Sequence, residues 1–288
     1  MLSYQHEYHA GNHADILKHI CLCSILDGLC RKEKPFTIID THAGAGIFNL
    51  NDERALKTGE AKEGIQYLKS LSLSSCPSAA GLYLSKELPY LEQGLYAGTP
   101  ELERLFARKG DQVHLVEKHP QALEALTANM AMPLHVSEGL AKSSVMPNIH
   151  NKDSYKAVSA LTPPLVKRGL IICDPSYEDA EDYRKATEAL KTARRKWNTA
   201  IIALWYPLIT RRKNETVQML TELEDYGKLG TTPCESFKVE LVVRDPEEMQ
   251  EEEGPHLYGS GMFIMNPPYM LQENMKEVAE WLAQIFRK

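Results

Sequence analysis

TIIDTHAGAG, residues 37–46, decides the fold. Its first half, with Phe36 before it, is short, apolar and partly β-branched, as a parallel strand buried on both faces must be. Asp40 ends that strand, and Gly44 and Gly46 free the backbone to turn and to approach a ligand closely. Position 49 is Asn49 where the dinucleotide fingerprint has its third glycine, which weighs against a nicotinamide oxidoreductase. Upstream, Ile16, Leu17, Ile20, Leu22, Ile25, Leu26 and Leu29 recur at three and four spacing and predict an amphipathic helix over 12–29, punctuated by Pro35. Downstream, strands are expected at 113–116, near His150, at 169–173 and at 199–205. An Ala- and Leu-rich helix over 120–130 and a charged helical stretch ending at Lys196 lie between them. Strand and helix alternate, so the fold class is α/β, doubly wound around a mostly parallel sheet. Segments 237–244 and 260–265, separated by the acidic loop DPEEMQEEEG, predict an antiparallel hairpin closing the sheet edge. Residues 51–108 are helix-prone and interrupted by SLSLSSCPSAAG, which predicts a helical insertion in a domain made of 1–50 and 109–288.

With 43% hydrophobic residues in 288, the chain has enough apolar surface for a sizeable core. No eighteen-residue apolar stretch and no basic, then apolar, leader occurs, so a cytoplasmic protein without membrane contact is expected. Six cysteines without a CxxC pair read as reduced structural thiols, two of them in runs that look like buried helix or strand. The net charge of −6 excludes a protein that coats nucleic acid non-specifically, so any nucleic-acid surface must be a patch. The candidate clusters are Arg31, Lys32 and Lys34; Lys191, Arg194, Arg195 and Lys196; and Arg211, Arg212 and Lys213, each more often a solvated face than a phosphate site. The N-terminal group Tyr4, His6, His9, His13, Lys18 and His19 matches no zinc spacing, and no metal is expected. These side chains read as cap, surface or pocket residues, with Lys18 and His19 facing the glycine turn if the helix packs across it.

Two further motifs carry chemistry. Glu117 ends the strand VHLVE, where a carboxylate is able to accept both hydroxyl hydrogens of a ribose. GLIICDPSYE puts Asp174, Pro175, Ser176 and Tyr177 after a buried strand, at the edge where open α/β sheets bind ligands. An adenine amino group is a poor nucleophile because its lone pair is delocalised into the ring. Asp174 and the Pro175 carbonyl, accepting both N–H hydrogens, would localise that pair, and Tyr177 offers a face for an extruded base. Asn266, Pro267, Pro268 and Tyr269 look better as a pattern, but they follow the edge hairpin and leave nineteen residues, so they read as a strand terminator.

DTHAGAG followed by DPSY resembles the D-x-x-x-G-x-G and [DN]-P-P-[YFW] motifs of adenine-N6 methyltransferases. More narrowly, LSYQHEYHAGNHADILKH, THAGAG, YAGTP, ALWYP and the closing NPPY together resemble the bacterial 23S rRNA adenine-N6 methyltransferase J family, over essentially the whole chain. The resemblance implies a monomeric Rossmann-like methyltransferase with a small helical insertion, S-adenosyl-L-methionine as cofactor and 23S rRNA as substrate. It places cofactor contacts on His19, His42, Gly44, Thr99, Glu117, Asp153, Ser154 and Asp174. It makes Asp174 the catalytic aspartate, within the Asp174, Pro175, Tyr177 motif, with Lys18 beside the site and Tyr4 close to the substrate base. Ser176 departs from the family's second proline, and the stretch 132–145 is longer than the family pattern. The competing readings are a DNA adenine-N6 methyltransferase, which the acidic charge supports poorly, and a non-catalytic RNA-binding or ribosome-assembly factor, against which the retained Asp174, Pro175 and Tyr177 argue.

Overall fold

The computed structural model describes residues 6–71, 76–131, 145–229, 232–247, 249 and 257–287. In chain order a short 3-10 turn (His6–Tyr8) is followed by α1 (His13–Cys30), β1 (Thr37–Asp40) and β2 (Ile47–Asn49). An excursion follows through α2 (Glu53–Thr58), α3 (Glu60–Glu63), α4 (Ile65–Ser70), α5 (Ser78–Leu91), β3 (Leu95–Ala97) and α6 (Thr99–Phe106). The chain then resumes strand–helix alternation with β4 (Gln112–Val116), α7 (Pro120–Ala131), β5 (Asn148–His150), α8 (Ser154–Leu161), β6 (Gly169–Cys173), α9 (Glu181–Lys196) and β7 (Ile201–Ile209). It closes with α10 (Lys213–Lys228), β8 (Ser236–Val242), β9 (Leu257–Met265) and α11 (Leu271–Phe286).

Seven strands form one sheet in the order β5-β4-β1-β6-β7-β9-β8. The first five are parallel, and β9 is antiparallel to both of its neighbours. The predicted hairpin is therefore present, with its second strand inserted next to β7 and its first left outermost. Side-chain alternation explains why the sheet is covered on both faces. Ile38, Leu170 and Ile264 share one core with Leu17, Ile20, Met275 and Leu282, whereas Ile39, Ile171 and Ile202 share the other with Leu190, Trp197 and Leu223. At the outer strand β8 only Phe237, Val239 and Leu241 are buried, the period-two pattern of an edge with one wet face.

Three expectations need correction. The first helix is not amphipathic: α1 is buried on nearly every side, because α5, α6, α11 and β9 all pack against it. Asn12 starts it, its Oδ1 accepting from the backbone N–H groups of Ala14 (3.0 Å) and Asp15 (2.9 Å). The excursion after the glycine turn is not purely helical: β2 and β3 form a separate antiparallel ladder, Ile47 opposite Ala97, that brackets α2 to α5. Three-residue strands are too short to show periodicity, so the sequence hid them. The strand expected at 199–205 runs instead from Ile201 to Ile209. Its continuation passes through Pro207, which is tolerated because β6 pairs with β7 only as far as Leu204 and leaves that side of the ladder open.

Strand direction also disposes of the second Pro-containing motif. Because β9 is antiparallel to β7, the turn at Asn266 to Tyr269 lies at the amino edge of the parallel strands, opposite Asp174. Asn266 takes a left-handed φ of 56°, and its Nδ2 donates to the carbonyls of Thr199 (3.0 Å) and Ala200 (3.3 Å). Two members of the cluster around Arg194 are not open to phosphate either. Arg194 is buried with Nη2 on the Thr232 carbonyl at 2.6 Å, and Lys191 is paired with Glu222 at 2.7 Å.

Candidate active site

The carboxyl ends of β1, β4, β6 and β7 open into a cavity of 1470 Å³. Lys18, His19, His42, Gly44, Thr99, Glu117, Asp153, Ser154, Asp174, Pro175 and Tyr177 all line it, so residues far apart in sequence meet at one sheet edge. Tyr4 lies outside the described residues, as does nearly all of the long stretch 132–145. The volume exceeds the roughly 300–1,000 Å³ of a typical small-molecule site, leaving room for two ligands side by side.

One wall is built by the glycine turn. Gly44 has a φ of 65°, and its N–H donates to Glu117 Oε2 at 2.8 Å. Glu117 Oε1 accepts from the N–H groups of Lys118 (2.7 Å) and His119 (2.6 Å). The carboxylate is thereby fixed at the end of β4 with one lone-pair site, on Oε2, left for a hydroxyl donor. Gly46 has a φ of 80°, and a Cβ there would lie 2.9 Å from Met130 Cε, so this position admits only glycine without strain. Asp153 caps α8, and Ser154 opens that helix. His42 hydrogen-bonds through Nδ1 to Thr41 Oγ1 at 2.8 Å, and its ring meets Tyr155 edge-on at 5.4 Å. Burial depresses it to about 4, and His19 to about 3, so both rings are neutral at pH 7. His19 stacks on Tyr96 with Nδ1 on the Tyr96 hydroxyl at 2.9 Å.

The opposite wall carries a chain of alternating charge. His6 Nε2 meets Asp15 Oδ2 at 2.9 Å, Asp15 Oδ1 meets Lys18 Nζ at 2.9 Å, and Lys18 Nζ donates to Asp174 Oδ2 at 2.5 Å. The Gly11 N–H also donates to Asp15 Oδ2, at 2.9 Å. Burial by itself would lower Lys18, but the Asp15 and Asp174 carboxylates more than offset it and hold the ammonium well above its ordinary value. Burial likewise opposes ionisation of Asp15, yet His6 and Lys18 keep it well below the usual carboxylate range. Asp174 thus receives a fixed cation on one oxygen and keeps its other oxygen for a new donor.

Tyr177 sits at a left-handed φ of 53° directly after the Asp-Pro-Ser turn. Its hydroxyl donates to the Trp205 carbonyl at 3.0 Å, and its ring packs 4.5 Å from that of Tyr183, leaving 4% of the residue exposed. The ring is an inner wall of the cavity, anchored to β7, and Trp205 lines the cavity beside it.

Sequence reasoning missed Asp15, although its i,i+3 spacing to Lys18 on one helix face was a usable signal. It also read Asp40 only as a strand end. Asp40 is buried, accepts from Thr99 Oγ1 at 2.6 Å and from the His42 N–H at 3.0 Å, and burial still pushes it up to about 7. A carboxyl raised in the folded state stabilises the fold below its unfolded value near 4 and loses that contribution as pH rises through 7. Relative to Asp40→Asn, the wild type should therefore lose stability steadily between pH 4 and pH 7.5. Denaturant unfolding at several pH values reads this, and parallel curves for the two proteins would refute it.

Among the described residues no three His, Cys, Asp or Glu side chains converge as a metal-ligand group. The N-terminal histidines serve elsewhere: His6 on Asp15, His9 on Glu60 at 2.8 Å and His19 on Tyr96.

A family model described as "Ribosomal RNA large subunit methyltransferase D, RlmJ" matches residues 33–288. "Ribosomal RNA large subunit methyltransferase J" of Escherichia coli K12 is 34% identical over 285 residues, covering 98% of this chain and 93% of that protein. The protein of the same description from Haemophilus influenzae is 33% identical, covering 99% and 94%. A crystal structure of a Legionella pneumophila protein superposes with a TM-score of 0.76 at 29% identity, covering 96% of this chain and 94% of that one.

Proposed function

The chain belongs to the ribosomal RNA large subunit methyltransferase family that this model describes, and from that premise we propose that it methylates N6 of one adenine in 23S rRNA, with S-adenosyl-L-methionine as donor. The observation that carries the reading is Asp174 at the carboxyl end of β6, held by Lys18 Nζ at 2.5 Å and followed by Pro175. The bound cofactor supplies a methyl group on a cationic sulfur. The cavity fits it by its donor set: Glu117 for a ribose hydroxyl, the Gly44 turn for close backbone approach, and His19, His42, Thr99, Asp153, Ser154 and Asp174 around the remainder.

In this reading the target adenine leaves its stack and enters beside Tyr177, with Tyr4 supplied by the N-terminal segment. Asp174 accepts one amino hydrogen and the Pro175 carbonyl the other, which directs the nitrogen lone pair toward the donor carbon. Lys18, fixed by Asp15, sets the Asp174 carboxylate in place before substrate arrives, so little reorganisation is needed during the reaction. With the donor bound, Asp174 and the Pro175 carbonyl would hold the amine for methyl transfer from the sulfonium, and the nitrogen would release its surplus proton to solvent. The chain acts as a monomer in the cytoplasm, with residues 51–108 as an insertion whose last helix, α6, returns against α1, β1 and β4.

Labelled methyl transfer to unmodified 23S rRNA, followed by nucleoside analysis, tests the reading. Label in N6-methyladenosine supports it, and label in another nucleoside, or only in duplex DNA added alongside, sinks it. The cofactor assignment has its own test in Glu117→Ala. Loss of the ribose acceptor should cost about 2 kcal/mol of binding, roughly a 30-fold rise in Kd by calorimetric titration. Wild-type affinity would remove Glu117 from the site.

A further inference from the structure

The amino edge of the sheet, opposite Asp174, carries a second concave site. A cavity of 590 Å³ is lined by Lys32 and Lys34 after α1, Lys167 and Arg168 before β6, and Lys196 and Trp197 at the end of α9. Among the described residues no carboxylate lines it. Arg168 and Lys196 are oriented by neutral oxygens: Arg168 donates to the carbonyls of Lys34, at 2.6 Å, and of Leu29, and Lys196 Nζ to the Ser159 carbonyl at 2.7 Å. Their hydrogen-bond partners are therefore neutral, and the carboxylate that acts on Arg168, Asp111, does so at longer range. Burial first, and then the nearby Arg108 guanidinium, hold Arg168 below its ordinary value, against the opposing pull of Asp111. Arg108 and Arg168 both stack on Phe36, at 5.4 and 5.9 Å. In a chain of net charge −6 this is a local reversal of sign.

The left-over Asn-Pro-Pro-Tyr motif ends at the same place. Asn266 is hydrogen-bonded to the carbonyl of Thr199, which lines the cavity, and three residues on Tyr269 is 90% exposed. Lysines around a hollow, with an exposed aromatic ring at the same sheet edge, match what single-stranded nucleic acid requires: cations for phosphates and a platform for a base.

We propose that this amino-edge cavity docks the phosphodiester backbone of the rRNA substrate, remote from the target adenine, with Tyr269 stacking an unpaired base. The proposal rests on the ribosomal RNA substrate stated above. Arg168 and Asp174 bracket β6, so about 20 Å of extended chain separates the two sites, and the RNA footprint must wrap one side of the sheet.

The test is filter binding of unmodified 23S rRNA across a potassium chloride series, with methyl transfer measured in parallel. Variants are the triple Lys32→Ala, Lys34→Ala, Lys167→Ala, its all-arginine counterpart, and Tyr269→Ala. The triple alanine variant should raise Kd about tenfold near 0.1 M salt and reduce the log–log salt slope by about 2, as three lost phosphate contacts require. The arginine variant should restore both, and kcat at saturating RNA and S-adenosylmethionine affinity should stay at wild-type values. Tyr269→Ala should weaken binding about fivefold or more with the slope unchanged. Wild-type Kd and slope in the triple alanine variant overturn the proposal and leave the patch to an acidic protein partner. Wild-type affinity in Tyr269→Ala overturns the stacking half. Should the wild-type protein fail to methylate 23S rRNA at all, the functional reading falls, a result distinct from either of these.

Discussion

Asp174→Ala is expected to lower methyl transfer to 23S rRNA by about a thousandfold or more in kcat, since it deletes a preorganised acceptor aimed at the reacting amine. The larger part of that loss is electrostatic. Asp174 keeps one oxygen on Lys18 and, in the proposed mechanism, would offer the other to the amine, so an alanine would remove both the acceptor and the countercharge. Asp174→Asn separates the two contributions: it retains an acceptor oxygen and the shape but not the charge, and should fall between the alanine variant and the wild type. Single-turnover transfer at saturating cofactor and RNA reads the chemical step without product release. An alanine variant within tenfold of wild type would remove Asp174 from the reaction.

The second large effect concerns stability. Lys18→Met should destabilise the fold by about 3–5 kcal/mol at pH 7, because it strands a buried carboxylate without its cation. Asp15 is 3% exposed and would keep only His6 and the Gly11 N–H. The sign of the pH dependence follows from its direction of shift. A carboxylate held below its ordinary value in the folded state contributes stability above its unfolded value near 4, and loses it as pH falls further. With Lys18 gone that contribution is weakened, so the gap between variant and wild type should be wide at pH 7 and narrow toward pH 4. Chemical denaturation at the two pH values measures it, and equal midpoints at pH 7 would show that the ion pair is not a structural element. The double variant Asp15→Leu, Lys18→Met should recover part of the stability while leaving transfer impaired.

Much of the architecture was legible because its signals are local. The apolar runs of β1 and β6 announce buried parallel strands, and Gly44 and Gly46 mark the turn that only positive φ permits. The meeting of Glu117 and Asp174 was legible for a topological reason, since parallel strands deliver their carboxyl ends to one edge, whereas Asp153 entered only through the family resemblance. What could not be read depends on partners distant in sequence. The periodicity of α1 could not reveal that all its faces are covered, because α5, α6 and α11 supply the cover. The β2–β3 ladder joins residues fifty apart in three-residue strands. Arg194 looked like part of a solvated cationic face, and its burial on the Thr232 carbonyl is a tertiary fact. Asp40 gave no hint in sequence that burial would bring it near neutrality.

The contact between Lys18 and Asp174 joins residues 156 positions apart. During synthesis at ~5–20 residues per second, about eight to thirty seconds therefore elapse between the emergence of α1 and that of the strand end it must meet. Throughout that interval a helix with apolar residues on all sides has no finished sheet to lie against, and Lys18 has no partner across the cavity. The enzyme is assembled back to front, its first-made helix settling among its last-made neighbours. No amino-terminal fragment ending before β6 should show a trace of its chemistry, however well it is folded.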